Sequence, residues 1–333
     1  MLNSKFEDLK LFLKGKKILI TTHDLVDIDG LASCVVLKFF LNRFIDSSDI
    51  HLFLPEISKS TKDFIQKYTE KFPDITIPLE IEFKTLKIDI FLILDTNNLD
   101  QVAIPDINSS EIPIIFIDHH LNLKKNNKRN ISLKIIDDQY SSTAEIIYEL
   151  CEYFNLELTL PYKYLLIAAI LTDSGFFKHG NNDTILRISK LLSNQLDYQE
   201  ILSTLKNDKT IPEKIAKIKA LQRVKLIQEG NWLIGITNVG SFEASVASSL
   251  IKIGFDVSVA YSEKKSGYRI STRAKKYVCL KTGLHLGKIL KEVSEECGAS
   301  GGGHDGAAAL NGILDLEIII EKILDRIKQV LNK

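Results

Sequence analysis

Four short apolar runs constrain the fold of this chain most: Lys17-Ile18-Leu19-Ile20-Thr21-Thr22, Ile50 to Leu54, Ile88 to Leu94 and Ile112 to Ile117. Their β-branched content and length suit buried strands. After the first run and a polar loop from His23 to Gly30, Ala32, Val35, Val36, Phe39 and Phe40 recur at helical spacing, which gives a strand-loop-helix unit. Strands separated by helices imply a mostly parallel sheet. Ser142-Thr143-Ala144-Glu145 has the Ser-x-x-Glu form of a capping box at a helix start, and Pro161 suits the first turn of the next helix.

From about Asn182 to Gln228 the chain is Lys-rich and amphipathic with no strand signal, which predicts a helical connector. Beyond it, strand Asn231 to Val239, helix Phe242 to Ile253, and the runs Phe255 to Tyr261 and Tyr268 to Arg273 around a Gly-containing turn predict a smaller α/β domain. Helices from His285 to Cys297 and from Asp315 to Leu331 complete it. A length of 333 residues suits about two domains, with expected boundaries 1–181, 182–228 and 229–333.

Lys plus Arg and Asp plus Glu each total 43, so the chain lacks the excess positive field of a protein that tracks long nucleic acid. A small anion can still be held locally. Cys34, Cys151, Cys279 and Cys297 lie far apart with no CxxC spacing, which argues against a zinc ribbon or a redox motif. The N-terminus interleaves Lys5, Glu7, Asp8, Lys10 and Lys14 with apolar residues, and no run approaches the roughly 20 apolar residues of a membrane span. A cytoplasmic protein is expected.

Acidic and imidazole groups recur where the predicted elements run out. His23, Asp27 and Asp29 follow the first run, Asp95 the third, and Asp118, His119 and His120 the fourth; Asp173 follows a helix reaching Leu171. In open α/β sheets ligands bind at the carboxyl ends of the strands, so these segments are expected to converge. Taken singly, Asp29-Gly30 reads as a turn, Asp95-Thr96-Asn97-Asn98 as an Asx loop, and a lone histidine as a satisfied core group. Adjacent imidazoles at His119 and His120 have no packing use, and the joint pattern favours a metal centre. Asp27, Asp29, Asp95 and Asp173 would repel one another unless cations, two if divalent, cancelled their charge. Mixed imidazole and carboxylate donors suit manganese, and none of these loops holds a cysteine to favour zinc.

Ile117-Asp118-His119-His120-Leu121-Asn122 resembles the signature of the DHH phosphoesterases. His23-Asp24-Leu25-Val26-Asp27-Ile28-Asp29 resembles that family's first motif, with Val26 where the motif has proline. The resemblance implies that His23, Asp27 and Asp95 bind one cation and Asp29, Asp95, His119 and Asp173 another, both most simply Mn(II), with Asp95 as the bridge. It further implies that His120 faces the phosphate, while Asp118 orients an imidazole. In the C-terminal part, Ala299 to Ala309 resembles the glycine-rich loop of the DHHA1 domain. There Gly301, Gly302 and Gly303 would let backbone N–H groups approach a phosphate, with His304 beside them and the Ala run starting a helix. Arg269-Ile270-Ser271-Thr272-Arg273 resembles the DHHA1 strand that faces substrate, and Arg269, Ser271 and Arg273 alternate onto one face.

The fold expected is therefore an N-terminal parallel-sheet DHH domain, a helical connector and a smaller α/β DHHA1 domain, with the active site in the interdomain cleft. Leu171-Thr172-Asp173-Ser174-Gly175-Phe176-Phe177-Lys178 resembles the fourth motif of the nanoRNase and pAp-phosphatase branch. That resemblance implies hydrolysis of short oligonucleotides, dinucleotides such as pApA, or pAp by a water activated between two metals, with Asp95 and His120 in catalytic roles. A RecJ-like single-strand exonuclease and a non-catalytic nucleotide-binding regulatory module are the rival readings. The expected partner is the nucleotide or oligonucleotide and not a membrane; a homodimer is left open.

Overall fold

Strands buried on both faces need near-continuous apolar residues, and the chain supplies them in Ile18–Thr21 (β1), Ile90–Leu94 (β5) and Ile114–Asp118 (β6), where only the last residues of β1 and β6 are polar. The computed structural model describes residues 2–46, 49–77, 87–121, 131–192, 195–206, 209–313 and 315–332. It divides into two units, Met1–Asn207 and Asp208–Lys333.

In the first unit, β1, Ile50–Phe53 (β3), β5, β6 and Ile131–Ile136 (β7) form one sheet in the order β3-β1-β5-β6-β7, every pair parallel. Ile18, Ile20, Leu92 and Leu94 pack into one core with the helices Leu2–Leu13 (α1), Ile28–Leu41 (α2), Lys59–Lys71 (α3), Thr143–Tyr153 (α4) and Leu160–Asp173 (α5). Leu19, Phe91, Ile93 and Phe116 point to the other face, where Leu99, Val102, Ile104 and Ile107 cover them. The chain leaves β1 toward β3 on one side and returns to β5 on the other. The gap between β1 and β5 is thus the point where strand order reverses, and loops from their carboxyl ends open a crevice there. Strand β7 went unread in the sequence because Ser132 and Lys134 interrupt its apolar pattern, as a half-buried edge strand allows.

A second, two-residue ladder joins Leu25–Val26 (β2) to Glu56–Ile57 (β4). It pins the loop after β1, aided by the Asp24 N–H to Gln101 carbonyl bond at 2.7 Å and the Ser58 N–H to Val26 carbonyl bond at 3.0 Å. Val26 is fully buried. The rigidity that a proline would give this loop is supplied by hydrogen bonding to two other segments.

Asn182–Leu191 (α6) and Tyr198–Leu205 (α7) belong to the first unit, and Ile211–Arg223 (α8) to the second. The stretch expected to run as helix to Gln228 ends as an edge strand, Lys225–Glu229 (β8), whose largely exposed residues hid its period. The second unit is a mixed sheet in the order β12-β13-β11-β10-β9-β8, built from Trp232–Asn238 (β9), Val257–Lys264 (β10), Gly267–Ala274 (β11), Ser300–Gly303 (β12) and Ala307–Gly312 (β13). Only β9 and β10 pair in parallel, and Glu243–Ile253 (α9) makes the crossover between them. Leu286–Glu296 (α11) and Leu316–Leu331 (α12) cover one face; the short helix Lys276–Thr282 (α10) precedes them.

The structure corrects the helix expected at the Ala run. Ala307 to Leu310 lie in β13, hydrogen-bonded to β11 on one side and β12 on the other, with Ala308 and Leu310 buried in the core. Pairing on two sides outweighs the high helix propensity of alanine, which tertiary context overrides. Gly303 turns the hairpin at φ +148°, and a Cβ there would meet the Ala307 carbonyl oxygen at 2.4 Å. Gly303→Ala should therefore destabilise the second unit by about 2–4 kcal/mol, since both the backbone conformation and the close approach are lost. Urea unfolding followed by a probe in that unit, such as Trp232 fluorescence, checks this; an unchanged midpoint would contradict it.

Candidate metal centre

Each acidic group at the crevice is placed by an element boundary. Asp27 is the N-cap of α2 and accepts the Gly30 N–H at 3.0 Å. Asp29 sits in the first turn of that helix and is 1% exposed, so Asp29-Gly30 is a helix start, not a surface turn. Gly30 is held against Thr22, whose Oγ1 would lie 2.5 Å from an added Cβ. Asp95 follows β5 in the left-handed region, φ +58°, a conformation that tertiary packing must hold in place for a residue other than glycine. Asp173 is the last residue of α5. The chain then turns away through Gly175, Phe176 and Phe177, all at positive φ, with the Phe176 N–H on the Leu171 carbonyl at 2.7 Å.

The side chains meet in a defined pattern around Asp95. Its Oδ2 lies 3.4 Å from His23 Nε2, which is in turn 3.6 Å from Asp27 Oδ1. Its Oδ1 lies 3.7 Å from His119 Nε2, which is 3.0 Å from Asp173 Oδ2. Two groups of donor atoms are close enough to hold a metal ion, one of His23, Asp27 and Asp95, the other of Asp29, His119 and Asp173. A third such group, Asp95, Asp118, His119 and His120, overlaps them. His119 Nε2 is buried between two carboxylates, 3.0 Å from Asp173 Oδ2 and 3.7 Å from Asp95 Oδ1, and neither approach is a well-formed hydrogen bond. A buried imidazole nitrogen held among carboxylates suits a cation, whether a metal ion or a proton.

Asp118, the buried end of β6, takes a different role. Its Oδ1 accepts from His120 Nδ1 at 2.9 Å and from the His120 N–H at 3.1 Å, so the imidazole that it orients is His120. Asn97 completes this arrangement by donating from Nδ2 both to Asp118 Oδ2 and to the His120 carbonyl, each at 2.7 Å. A cavity of about 570 Å³ opens over the group, lined by His23, Asp27, Asp95, His120, Leu121 and Asp173 among others.

Crowded carboxylates set the electrostatics. Burial, then Asp95, Asp173 and Asp27, push the Asp29 carboxyl well above its ordinary range. Burial likewise raises Asp95, and Asp27 adds to it, against relief from His23 and His119. Burial opposes the charged form of His23, but Asp27 and Asp95 outweigh it and raise its pKa to about 10. The same opposition raises His119, where Asp173 and Asp95 prevail over burial. His120 is raised chiefly by its bond to Asp118. Each of these shifts has the sign expected where carboxylates crowd one another and imidazoles stand among them.

Two residues that hydrogen-bond the carboxylates and the loop carry no signal in the sequence. In the local pattern Asn97 is part of an Asx loop, and Thr143 is the interior of a capping box. Thr143 donates its N–H to Asp29 Oδ2 at 2.7 Å and its hydroxyl to Asp95 Oδ1 at 3.1 Å. Nothing local in either segment points to a partner 21 to 114 positions away.

The remaining expected site residues lie in the second unit. Arg269, Ser271 and Arg273 project from one face of β11, opposite to the buried Tyr268, Ile270 and Thr272. Ser271 Oγ is buried without a hydrogen-bond partner among the described residues, and Arg273 Nη1 donates to the Thr272 carbonyl at 2.8 Å. Gly301, Gly302 and Gly303 follow Ser300 in β12; a Cβ at Gly302 would meet nothing within 4 Å, whereas Gly301 and Gly303 are approached closely by neighbouring chain. His304 is exposed, and its N–H donates to the Ala307 carbonyl at 2.8 Å.

Residues 17–171 match the DHH family, N-terminal domain, and residues 243–333 match the DHHA1 domain. An uncharacterised protein of Methanocaldococcus jannaschii is 30% identical over 328 residues, which is 98% of this chain and 95% of that one. A second uncharacterised protein of the same organism is 24% identical over 309 residues, 89% of this chain and 58% of its own length. The crystal structure of an exopolyphosphatase-related protein from Bacteroides fragilis shares the fold, with a TM-score of 0.67 at 20% identity, covering 99% of this chain and 98% of that one.

The shifts fix how stability depends on pH when cations are removed. Raised histidine pKa values contribute stability that is complete below about 6.5 and is lost as pH climbs through the folded-state values. Raised Asp29 and Asp95 values act in the same direction, because the folded protein binds protons that the unfolded chain releases. In chelator the melting temperature should thus rise from about pH 8 to about pH 6. The increment given by added Mn(II) should shrink over the same interval, because protons compete for its ligands. Melting curves with and without the ion decide this, and an increment that grows toward pH 6 would refute the assignment.

Proposed function

The chain belongs to the DHH family of phosphoesterases, and on that premise we propose that it hydrolyses short oligonucleotides, dinucleotides such as pApA, or pAp at a two-cation centre in the first unit. The observation that carries this reading is the placement of Asp95, with one carboxylate oxygen toward His23 and Asp27 and the other toward His119. A single buried carboxylate lying between the two donor groups suits two adjacent cations. His23, Asp27 and Asp95 would hold one, and Asp29, Asp95, His119 and Asp173 the other.

Divalent cations bound there, Mn(II) in our reading, supply Lewis acidity toward the phosphoryl oxygens and lower the pKa of water. The protein's own groups do the rest. Asp118 fixes the His120 ring through Nδ1, which leaves Nε2 as the ring atom free for substrate; the raised pKa favours its protonated form, suited to charge developing on a phosphoryl oxygen. Leu121 and His120 at the cavity rim give a sugar or base an apolar edge beside the anionic centre. In the second unit Arg273, Ser271 and His304 are the groups suited to a further phosphate, with Arg269 and the open Gly302 beside them; the unpartnered Ser271 Oγ supports this.

Equal totals of acidic and basic residues favour short substrates over the long strand that a RecJ-like exonuclease follows. Turnover of pApA, pAp, pyrophosphate and a long single strand should be compared in Mn(II), Mg(II) and chelator. Preference for pApA or pAp with loss in chelator is expected. Preference for the long strand would favour the exonuclease, and nucleotide binding without cleavage would favour a regulatory module.

Two variants separate the roles within the centre. Asp95→Ala removes the shared carboxylate and should lower kcat by more than about a thousandfold while weakening Mn(II) binding, through loss of several kcal/mol of electrostatic stabilisation. His120→Ala should lower kcat by about a hundredfold and leave Mn(II) affinity unchanged, because its Nδ1 is committed to Asp118. Weakened Mn(II) binding in the His120 variant would instead make that residue a ligand.

A further inference from the structure

Helix α4 begins with Ser142 as its cap: the Ser142 hydroxyl takes the Glu145 N–H at 3.3 Å. The first two N–H groups of the helix, on Thr143 and Ala144, have no intrahelical acceptor. Both are directed at Asp29, the Thr143 N–H to Oδ2 at 2.7 Å and the Ala144 N–H to Oδ1 at 2.9 Å. The Thr143 hydroxyl reaches Asp95 Oδ1, the oxygen that faces His119. One residue thereby touches a carboxylate from the loop after β1 and another from the loop after β5. All four of these groups are buried, with Thr143 and Ala144 fully so.

We propose that Thr143 is a positioning residue that sets the separation and rotation of the Asp29 and Asp95 carboxylates, so that both cation sites exist before any ion arrives. The proposal rests on the two-cation reading given above. Asp29 can accept the two N–H groups and still coordinate, because each carboxylate oxygen has two lone-pair directions. The partial positive charge of the helix N-terminus offsets part of the repulsion among Asp29, Asp95 and Asp173, which otherwise favours splaying them apart. The clamp is itself anchored. Glu145, fully buried, accepts the Ser141 N–H at 3.2 Å, not that of the Ser142 cap, and takes Arg187 Nη1 from α6 at 2.7 Å. Arg187 Nε also binds Glu149 at 2.6 Å, which fixes α4 from its outer side.

Thr143→Val keeps the shape and the backbone N–H but deletes the hydroxyl, whereas Thr143→Ser keeps the hydroxyl and deletes the methyl. On the full chain, Mn(II) binding by calorimetry and by the electron paramagnetic resonance of free ion should show at least about a tenfold weaker affinity in the Val variant, the usual scale for a group that orients a ligand. The Ser variant should bind within about threefold of wild type. Melting in chelator shows that each variant is folded, and Thr143→Ala serves as a second deletion if the Val form is not. Wild-type affinity in the Val or Ala variant, or equal weakening in Val and Ser, overturns the proposal. Absence of Mn(II) binding by the wild-type chain overturns the two-cation reading itself and the proposal with it, a result distinct from either of the others.

Discussion

Repulsion among buried carboxylates governs this structure. Asp29 and Asp95 are almost wholly removed from water, and Asp27 and Asp173 lie within reach of them. Two unit charges about 4 Å apart repel by about 4 kcal/mol at an effective dielectric near 20. A fold has no reason to gather such groups for stability alone. The surrounding devices are compensations for that choice: the α4 N-terminus on Asp29, the Thr143 hydroxyl on Asp95, and imidazoles on either side of Asp95.

The parallel sheet makes the gathering geometrically cheap. Loops leave β1, β5 and β6 at the same edge, and the reversal of strand order between β1 and β5 parts the first two. Residues 23, 95 and 119 then arrive together without any long excursion of the chain. Asp173 comes from a helix packed beside α2, whose own first turn carries Asp29. The same architecture explains why the donors to Asp29 come from α4: this helix lies against α2 and directs its N-terminus at the crevice.

Within the loop Asp118-His119-His120 the two imidazoles have separate tasks. His119 turns its Nε2 into the buried donor group, while His120 is tied back to Asp118 and lines the open cavity. Asn97 holds the turn between them in shape by reaching both Asp118 and the His120 carbonyl. Two histidines adjacent in sequence thus answer to different environments.

The sequence by itself determined which groups are available and in what order. Apolar runs and helical periods carry four of the five strands of the first unit's large sheet and the helices beginning near Leu31, Ser142 and Pro161, and acidic and imidazole residues stand at their ends. Local pattern carries this information because strand and helix periods depend on neighbours a few positions away. The tertiary structure alone decided that Asp118 accepts from His120, that Asp95 offers one oxygen to each side, that Thr143 and Asn97 donate to carboxylates from other segments, and that the Ala run is a strand. Each of those outcomes depends on partners brought in from distant segments by packing, and a hydrogen bond across 48 or 115 positions leaves no periodic trace in the chain that makes it.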